Sequence, residues 1–159
     1  MRFSGTKVCQ IAVIFVSNNK GMITQPQQSS FLLLTFDDPF LLIEKTREGL
    51  TKNDADALAN VYDLNDREMA RILNLSERTY HRYKEDARLD ASASDRLLQL
   101  KKVLQYGESV FESREKFQRW LRRPLRTMNG EAPIQLLATI TGLNVVETAL
   151  GRIEYGVYI

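Results

Sequence analysis

From residue 37 onward, apolar positions recur at helical spacing with short polar interruptions. The stretch around which the rest is organised is residues 65–85, NDREMARILNLSERTYHRYKE. Met69, Ala70, Ile72 and Leu73 place an apolar stripe on a short helix capped by Asn65 or Asp66. Asn74 and Leu75 break that helix, and Ser76 with Glu77 opens a second one whose inward positions are Tyr80 and Tyr83. Ala70 is small where two helices must cross closely, and Leu75 plugs the turn. The pattern predicts a helix-turn-helix. With both tyrosines inward, Glu77, Arg78, His81, Arg82 and Lys84 face out. Those residue types reach base edges and phosphates from a major groove. The same spacing also fits a plain helical hairpin with a solvated basic face.

The flanking pattern is helical as well. Asp37 or Asp38 caps a first helix, Pro39 suits its opening turn, and Gly49 closes it. A second helix over residues 52–62 buries Ala55, Leu58, Ala59 and Tyr62. Residues 89–94 read as a polar connector, after which Ser94 or Asp95 caps a long helix. Its apolar stripe, residues 97, 98, 100, 103, 104, 110 and 111, is wide enough to pack on more than one neighbour. A helix over residues 114–122 contributes Phe117, Trp120 and Leu121 and stops at Pro124. Trp120 is expected to anchor the core. After a loop, Pro133 opens a helix over residues 133–140 that Gly142 ends, and Asn144 caps the last helix, which runs to about Tyr155. The expected fold is all-α, with a helix-turn-helix module over residues 37–88 and a second helical domain over 94–159.

Residues 1–36 fit this scheme poorly. Residues 8–16 are rich in β-branched side chains and suit one strand, yet no partner strand follows. A turn cluster and a Gln-rich linker come next, with Met22 between them. Met22 is expected to be the true start, the alternative being an edge strand or an arm exchanged in a dimer. No segment reaches the roughly 20 apolar residues of a membrane helix, because Asp37, Asp38 and Pro39 interrupt the longest candidate.

Composition narrows the chemistry. The formal charge of +2 over 159 residues names no partner, but residues 114–126 hold six Lys or Arg side chains against Glu115 alone. A single cysteine, Cys9, precludes an internal disulfide and suits a reducing cytoplasm. With one histidine and one cysteine far apart, no zinc-ligand cluster exists, and neither a phosphate loop nor a nucleophile elbow is present. No cofactor, metal or catalytic site is expected.

The ordered motifs are similar to those of the MbcA/ParS/Xre family of type II antitoxins. The resemblance begins at Leu75-Ser-Glu-Arg-Thr-Tyr-His-Arg and continues through Leu89, Ser94-Asp95-Arg96-Leu97-Leu98, Leu100, Val103 and Val110-Phe111. Trp120-Leu121, Pro124, Gly130, Pro133, Leu136-Leu137 and the ending from Leu150 through Tyr158 follow in order. It covers roughly residues 40–159. One departure is Asn129, which stands where the family has the first glycine of a Gly-Gly pair; asparagine tolerates the left-handed backbone such a turn needs.

The resemblance implies an Xre-like DNA-binding module that represses its own operon and a C-terminal domain that neutralises a RES-domain toxin acting on NAD. It also implies a homodimer with operator DNA and the toxin as partners. On this view the ending supplies the toxin contacts: Arg152, Glu154, Tyr155, Tyr158 and Ile159. A cleft built for two phosphates needs cations, which Glu154 and a terminal carboxylate could meet, while a tyrosine fills space meant for a flat ring. Alternatively Glu154 is a solvated helix residue, and Arg96 and Arg152 form structural salt bridges. Two rival functions remain: a stand-alone helix-turn-helix regulator whose C-terminal half only dimerises or senses a ligand, and a small NAD-acting enzyme.

Overall fold

The computed structural model describes residues 30–157. The strand expected at residues 8–16, the Met22 start, and Tyr158 and Ile159 lie outside that range. Eight α-helices form among the described residues: α1 (Pro39–Glu48), α2 (Lys52–Tyr62), α3 (Asp66–Ile72), α4 (Glu77–Arg82), α5 (Ala91–Phe111), α6 (Arg114–Arg122), α7 (Pro133–Leu136) and α8 (Ile140–Glu154). A single 3-10 turn, Arg126–Met128, lies between α6 and α7. The sole β-pairing among them is an isolated bridge between Thr51 and Arg88. The fold is all-α.

Local chemistry sets most helix ends. The Asp38 carboxylate accepts from the Phe40 and Leu41 amides to start α1, and Gly49 ends it at φ +81°, its amide returning to the Lys45 and Thr46 carbonyls. Thr51 and Asp54 form a capping box on α2, which buries Ala55, Leu58, Ala59 and Tyr62 as its spacing requires. The Arg88 guanidinium donates to the Glu48 and Gly49 carbonyls, placing a cation at the negative end of α1.

The central element is α5, whose 21 residues pack on α1, α2, α3, α6 and α8; α8 lies alongside it, from Lys102–Glu147 to Tyr106–Glu154. α5 starts earlier than its sequence suggests. Asp90, not Ser94 or Asp95, is the cap, accepting from the Ala93 amide at 2.7 Å. Ser94 is instead fully buried one turn in, where its hydroxyl accepts from the Leu50 amide at 3.0 Å. A polar residue that looked like a connector therefore ties α5 to the α1–α2 corner.

Around α5 the buried apolar residues form one continuous core, from Phe31 through Leu58, Met69 and Tyr80 to Leu97, Leu104, Phe117, Val146 and Leu150. A Cβ on Gly107 would overlap the Phe117 ring, so that glycine allows α6 to approach. Arg96 forms no salt bridge among the described residues; it donates to the carbonyls of Ile72 and Ala138, linking the end of α3 to the turn before α8. Arg122 reaches from α6 to Glu68 at 2.8 Å and to the Asp63 carbonyl.

The C-terminal helices are divided differently from the sequence expectation. α7 is only four residues long, and Thr139 caps α8 by accepting from the Gly142 amide at 3.0 Å. Gly142 and Asn144 thus lie inside α8. The glycine is there for contact: a Cβ would overlap the Leu136 carbonyl. At the other end, Gly156 has φ +66°, and the amides of Gly156 and Val157 return to Ile153 and Arg152. This is a Schellman motif.

One buried group is a charge. Lys101 of α5 is fully buried, donates to the Leu34 carbonyl, and lies 5.1 Å from the ring centroids of both Phe31 and Phe36. Cation–π contact and one hydrogen bond replace part of its hydration. No carboxylate pairs with it among the described residues, and burial pushes its pKa down to about 8. Unfolding restores an ordinary lysine, so above this value the unfolded chain binds the extra proton and stability rises with pH. The wild type should gain on Lys101→Met by about 1–3 kcal/mol between about pH 8 and pH 10, read from denaturant midpoints. A stability gap that stays constant over that window would refute a buried, unpaired ammonium.

Candidate functional site

The helix-turn-helix is built by side-chain caps and one polar network. Asn65 accepts from the Glu68 amide while Glu68 accepts from the Asn65 amide, both at 2.9 Å. The Leu75 amide bonds back to the Ala70 carbonyl at 2.8 Å, with Asn74 in the left-handed region at φ 59°. Ser76 then caps α4 by accepting from the Thr79 amide at 3.0 Å. Tyr80 is completely buried, and its hydroxyl donates to Asp56 at 2.7 Å. Asp56 also takes the Lys52 ammonium at 2.6 Å, which lies 4.3 Å from the Tyr80 ring centroid. Burial, then the Asp56 bond, raises the Tyr80 pKa well above the phenol range, so this hydroxyl stays a donor that pins α4 to α2.

All five outward residues of the expected DNA face are exposed, but they divide into two groups. Glu77 pairs with Arg67 at 3.1 Å, and the His81 Nδ1 lies 3.2 Å from Asp66. Both reach back to α3. Arg78, Arg82 and Lys84 have no side-chain partner among the described residues. α4 is also shorter than its sequence suggests: it ends at Arg82, so Lys84 stands in the following loop, and Tyr83 is only partly buried.

A second feature lies on α8. Leu143, Val146 and Leu150 point into the core, so Thr141, Val145, Thr148 and Arg152 form the opposite side. With Trp120 of α6 and the loop at Leu125 and Met128, they line a groove of about 490 Å³. Its surroundings are unusually apolar for a surface, with Val145 43%, Val157 53% and Tyr155 79% exposed. Asn129 has φ 56°, which keeps the loop turn in the left-handed conformation. Arg152 lines the groove without an ion-pair partner among the described residues, contrary to the structural salt bridge considered for it. Glu154 is on another side of the helix, where it accepts from the Tyr106 hydroxyl at 2.6 Å. That bond, more than burial, pushes the Tyr106 pKa up to about 12. Of the three described residues expected to meet a toxin, Arg152, Glu154 and Tyr155, the structure brings Arg152 alone to the groove. Tyr155 stands free at the helix end.

These two faces coincide with two family models. The antitoxin Xre-like helix-turn-helix domain matches residues 41–100, and the antitoxin Xre/MbcA/ParS C-terminal toxin-binding domain matches residues 107–156. The chain belongs to the Xre/MbcA/ParS antitoxin family. Antitoxin Xre of Photorhabdus laumondii is 27% identical over 112 residues, 69% of this chain and 76% of that protein. Antitoxin Xre of Pseudomonas putida is 35% identical over 75 residues, 47% of each chain. A Prs ADP-ribosylating antitoxin of a Sphingobium species is 28% identical over 122 residues, 70% of this chain and 77% of that one. Neither matched family model is catalytic, and no described helix is by itself long and apolar enough to cross a membrane.

In this antitoxin the basic block of residues 114–126 is partly structural: Arg114 pairs with Glu108 at 3.0 Å and Arg122 with Glu68. The sequence reading missed the groove because it ended a helix at Gly142; the repeat Thr141, Val145, Thr148, Arg152 was the available signal. It also made Trp120 the core anchor. Phe117 holds that position, fully buried and edge-on to Tyr62, whereas Trp120 is half-buried, stacked on Phe117 and open to the groove. Phe117→Ala should therefore cost about 3–5 kcal/mol and Trp120→Ala roughly 1–2 kcal/mol in denaturant unfolding. Equal losses would return the indole to the core.

Proposed function

We propose that this antitoxin neutralises a RES-domain toxin that acts on NAD, and that it represses its own operon as a homodimer. The observation that carries the toxin reading is the apolar, unpartnered outer face of α8 within the region matched by the toxin-binding model. The name of the Sphingobium relative, which couples an antitoxin to ADP-ribosylation of Prs, supports an NAD-consuming partner, since ADP-ribose transfer uses that donor. In this reading the groove side of α8, with Arg152 at its mouth, supplies the binding area. Glu154, Tyr155 and residues 157–159 enter the toxin's NAD cleft, where an anion meets the cations that would hold the pyrophosphate. The Schellman turn at Gly156 directs the chain off the helix axis at the point where such a tail must start.

The test is growth of cells expressing the toxin with an antitoxin lacking residues 157–159. The truncated protein should fold, bind DNA and still co-purify with toxin, yet protect poorly. Full protection would limit the tail to packing and assign inhibition to the helical surface.

Operator binding follows from α4. Arg78 and Arg82 lie one turn apart on the exposed side, each free to meet a guanine edge, with Lys84 on phosphate and Glu77 and His81 at the border of the contact. Arg78→Ala or Arg82→Ala should weaken operator binding by roughly 1–3 kcal/mol with helicity intact. Lys84→Ala should lower the slope of log affinity against log salt by about one counterion without changing sequence preference. Wild-type affinity in Arg78→Ala would exclude this orientation of the helix.

A further inference from the structure

α1 is the one long helix of the described structure that buries none of its own residues. It touches α5 chiefly through Leu42, which is half-buried, and turns the rest outward. Phe40 is 80% exposed, Ile43 46% and Leu41 37%, and Leu33 just before the helix is 74% exposed. An apolar cluster of this kind on a soluble chain marks an interface. Beside it runs a groove of about 340 Å³ between α1 and α5, lined by Phe36, Leu42, Ile43, Arg47 and Leu98.

We infer that this face of α1 is the surface through which two copies of the antitoxin associate. Two observations select a second copy as the occupant. Phe40, Ile43, Glu44 and Arg47 fall on one stripe of the helix by their spacing, so a projecting ring and an apolar hollow share one face. A surface carrying both knob and hole is self-complementary, which is what a two-fold interface requires. A chain cannot place its own Phe40 in its own groove, but two α1 helices packed antiparallel place each Phe40 beside the groove of the other. The charges agree with that arrangement. Lys45 and Glu48 satisfy each other at 2.8 Å, whereas Glu44 and Arg47 make no side-chain hydrogen bond or ion pair among the described residues. Antiparallel packing brings Glu44 of one copy within a turn of Arg47 of the other, twice, around an apolar centre.

Such a pairing leaves α4 and the groove face of α8 unused by the dimer contact, since neither contributes to the α1 patch. It thereby gives the helix-turn-helix the second copy that two DNA half-sites require.

This inference rests on the dimeric reading above, and sedimentation equilibrium of the full chain separates the two. Wild type should sediment at twice the chain mass and Phe40→Asp at the single mass, with unchanged helicity because Phe40 contributes nothing to the core. Glu44→Arg should raise the dimer dissociation constant about tenfold or more, and Glu44→Arg combined with Arg47→Glu should restore it. A dimeric wild type that stays dimeric in both Phe40→Asp and Glu44→Arg would overturn the assignment to α1 and leave the dimer standing. A single-chain wild type at about 100 µM would overturn both. If that single chain loses its co-expressed toxin on Phe40→Asp, the face belongs to the toxin.

Discussion

The structure depends on burying α5 on nearly all sides at once. Its 21 residues span about 31 Å, and Leu97, Leu100, Val103 and Leu104 are each almost or entirely removed from solvent. A stripe so wide cannot be covered by one neighbour. The N-terminal helices α1, α2 and α3 cover part of it and α6 with α8 the rest, so neither half completes its core without the same helix. The family models divide at the same place, one ending at residue 100 and the other beginning at 107. Arg96 reinforces the joint by donating to carbonyls on both sides of it.

What remains on the surface follows from what α5 takes. On α8 the inward positions Leu143, Val146 and Leu150 are committed to the core, which forces Val145, Thr148 and Arg152 outward with Trp120 beneath them. On α4 burial of Tyr80 against Asp56 fixes the rotation of the helix, and the pairs Arg67–Glu77 and Asp66–His81 hold it against α3. Those exposed pairs contribute little energy individually. They engage Glu77 and His81, while Arg78, Arg82 and Lys84 have no ion-pair partner among the described residues.

Lys101 shows the opposite solution, a cation kept inside. Its stem adds apolar contact along α5, and its ammonium is held by a backbone carbonyl and two phenyl rings. The segment carrying Phe31 and Phe36 lies before the family-matched region begins at residue 41, yet Phe31 is 4% exposed and part of the core. This stretch is therefore structural in the chain, although its sequence pattern is unlike the helices that follow.

The sequence by itself determined the elements whose signals are local. Asp38, Asn65 and Ser76 are caps because a short oxygen-bearing side chain next to free amides needs no distant partner. The buried sets of α2 and α3 follow from 3.6-residue periodicity alone. Tertiary structure decided the rest. Asp90, Ser94 and Asp95 are all competent caps; only the corner at Leu50 makes Ser94 a buried ligand and leaves the capping to Asp90. Gly142 reads as a helix stop, since glycine is a common stop, until Leu136 is seen to occupy the space of its Cβ. Trp120 and Phe117 are equally apolar on one stripe, and the missing side chain at Gly107 is what admits the phenyl ring and leaves the indole at the groove. In each case one residue type serves two roles, and a contact many residues away chooses between them.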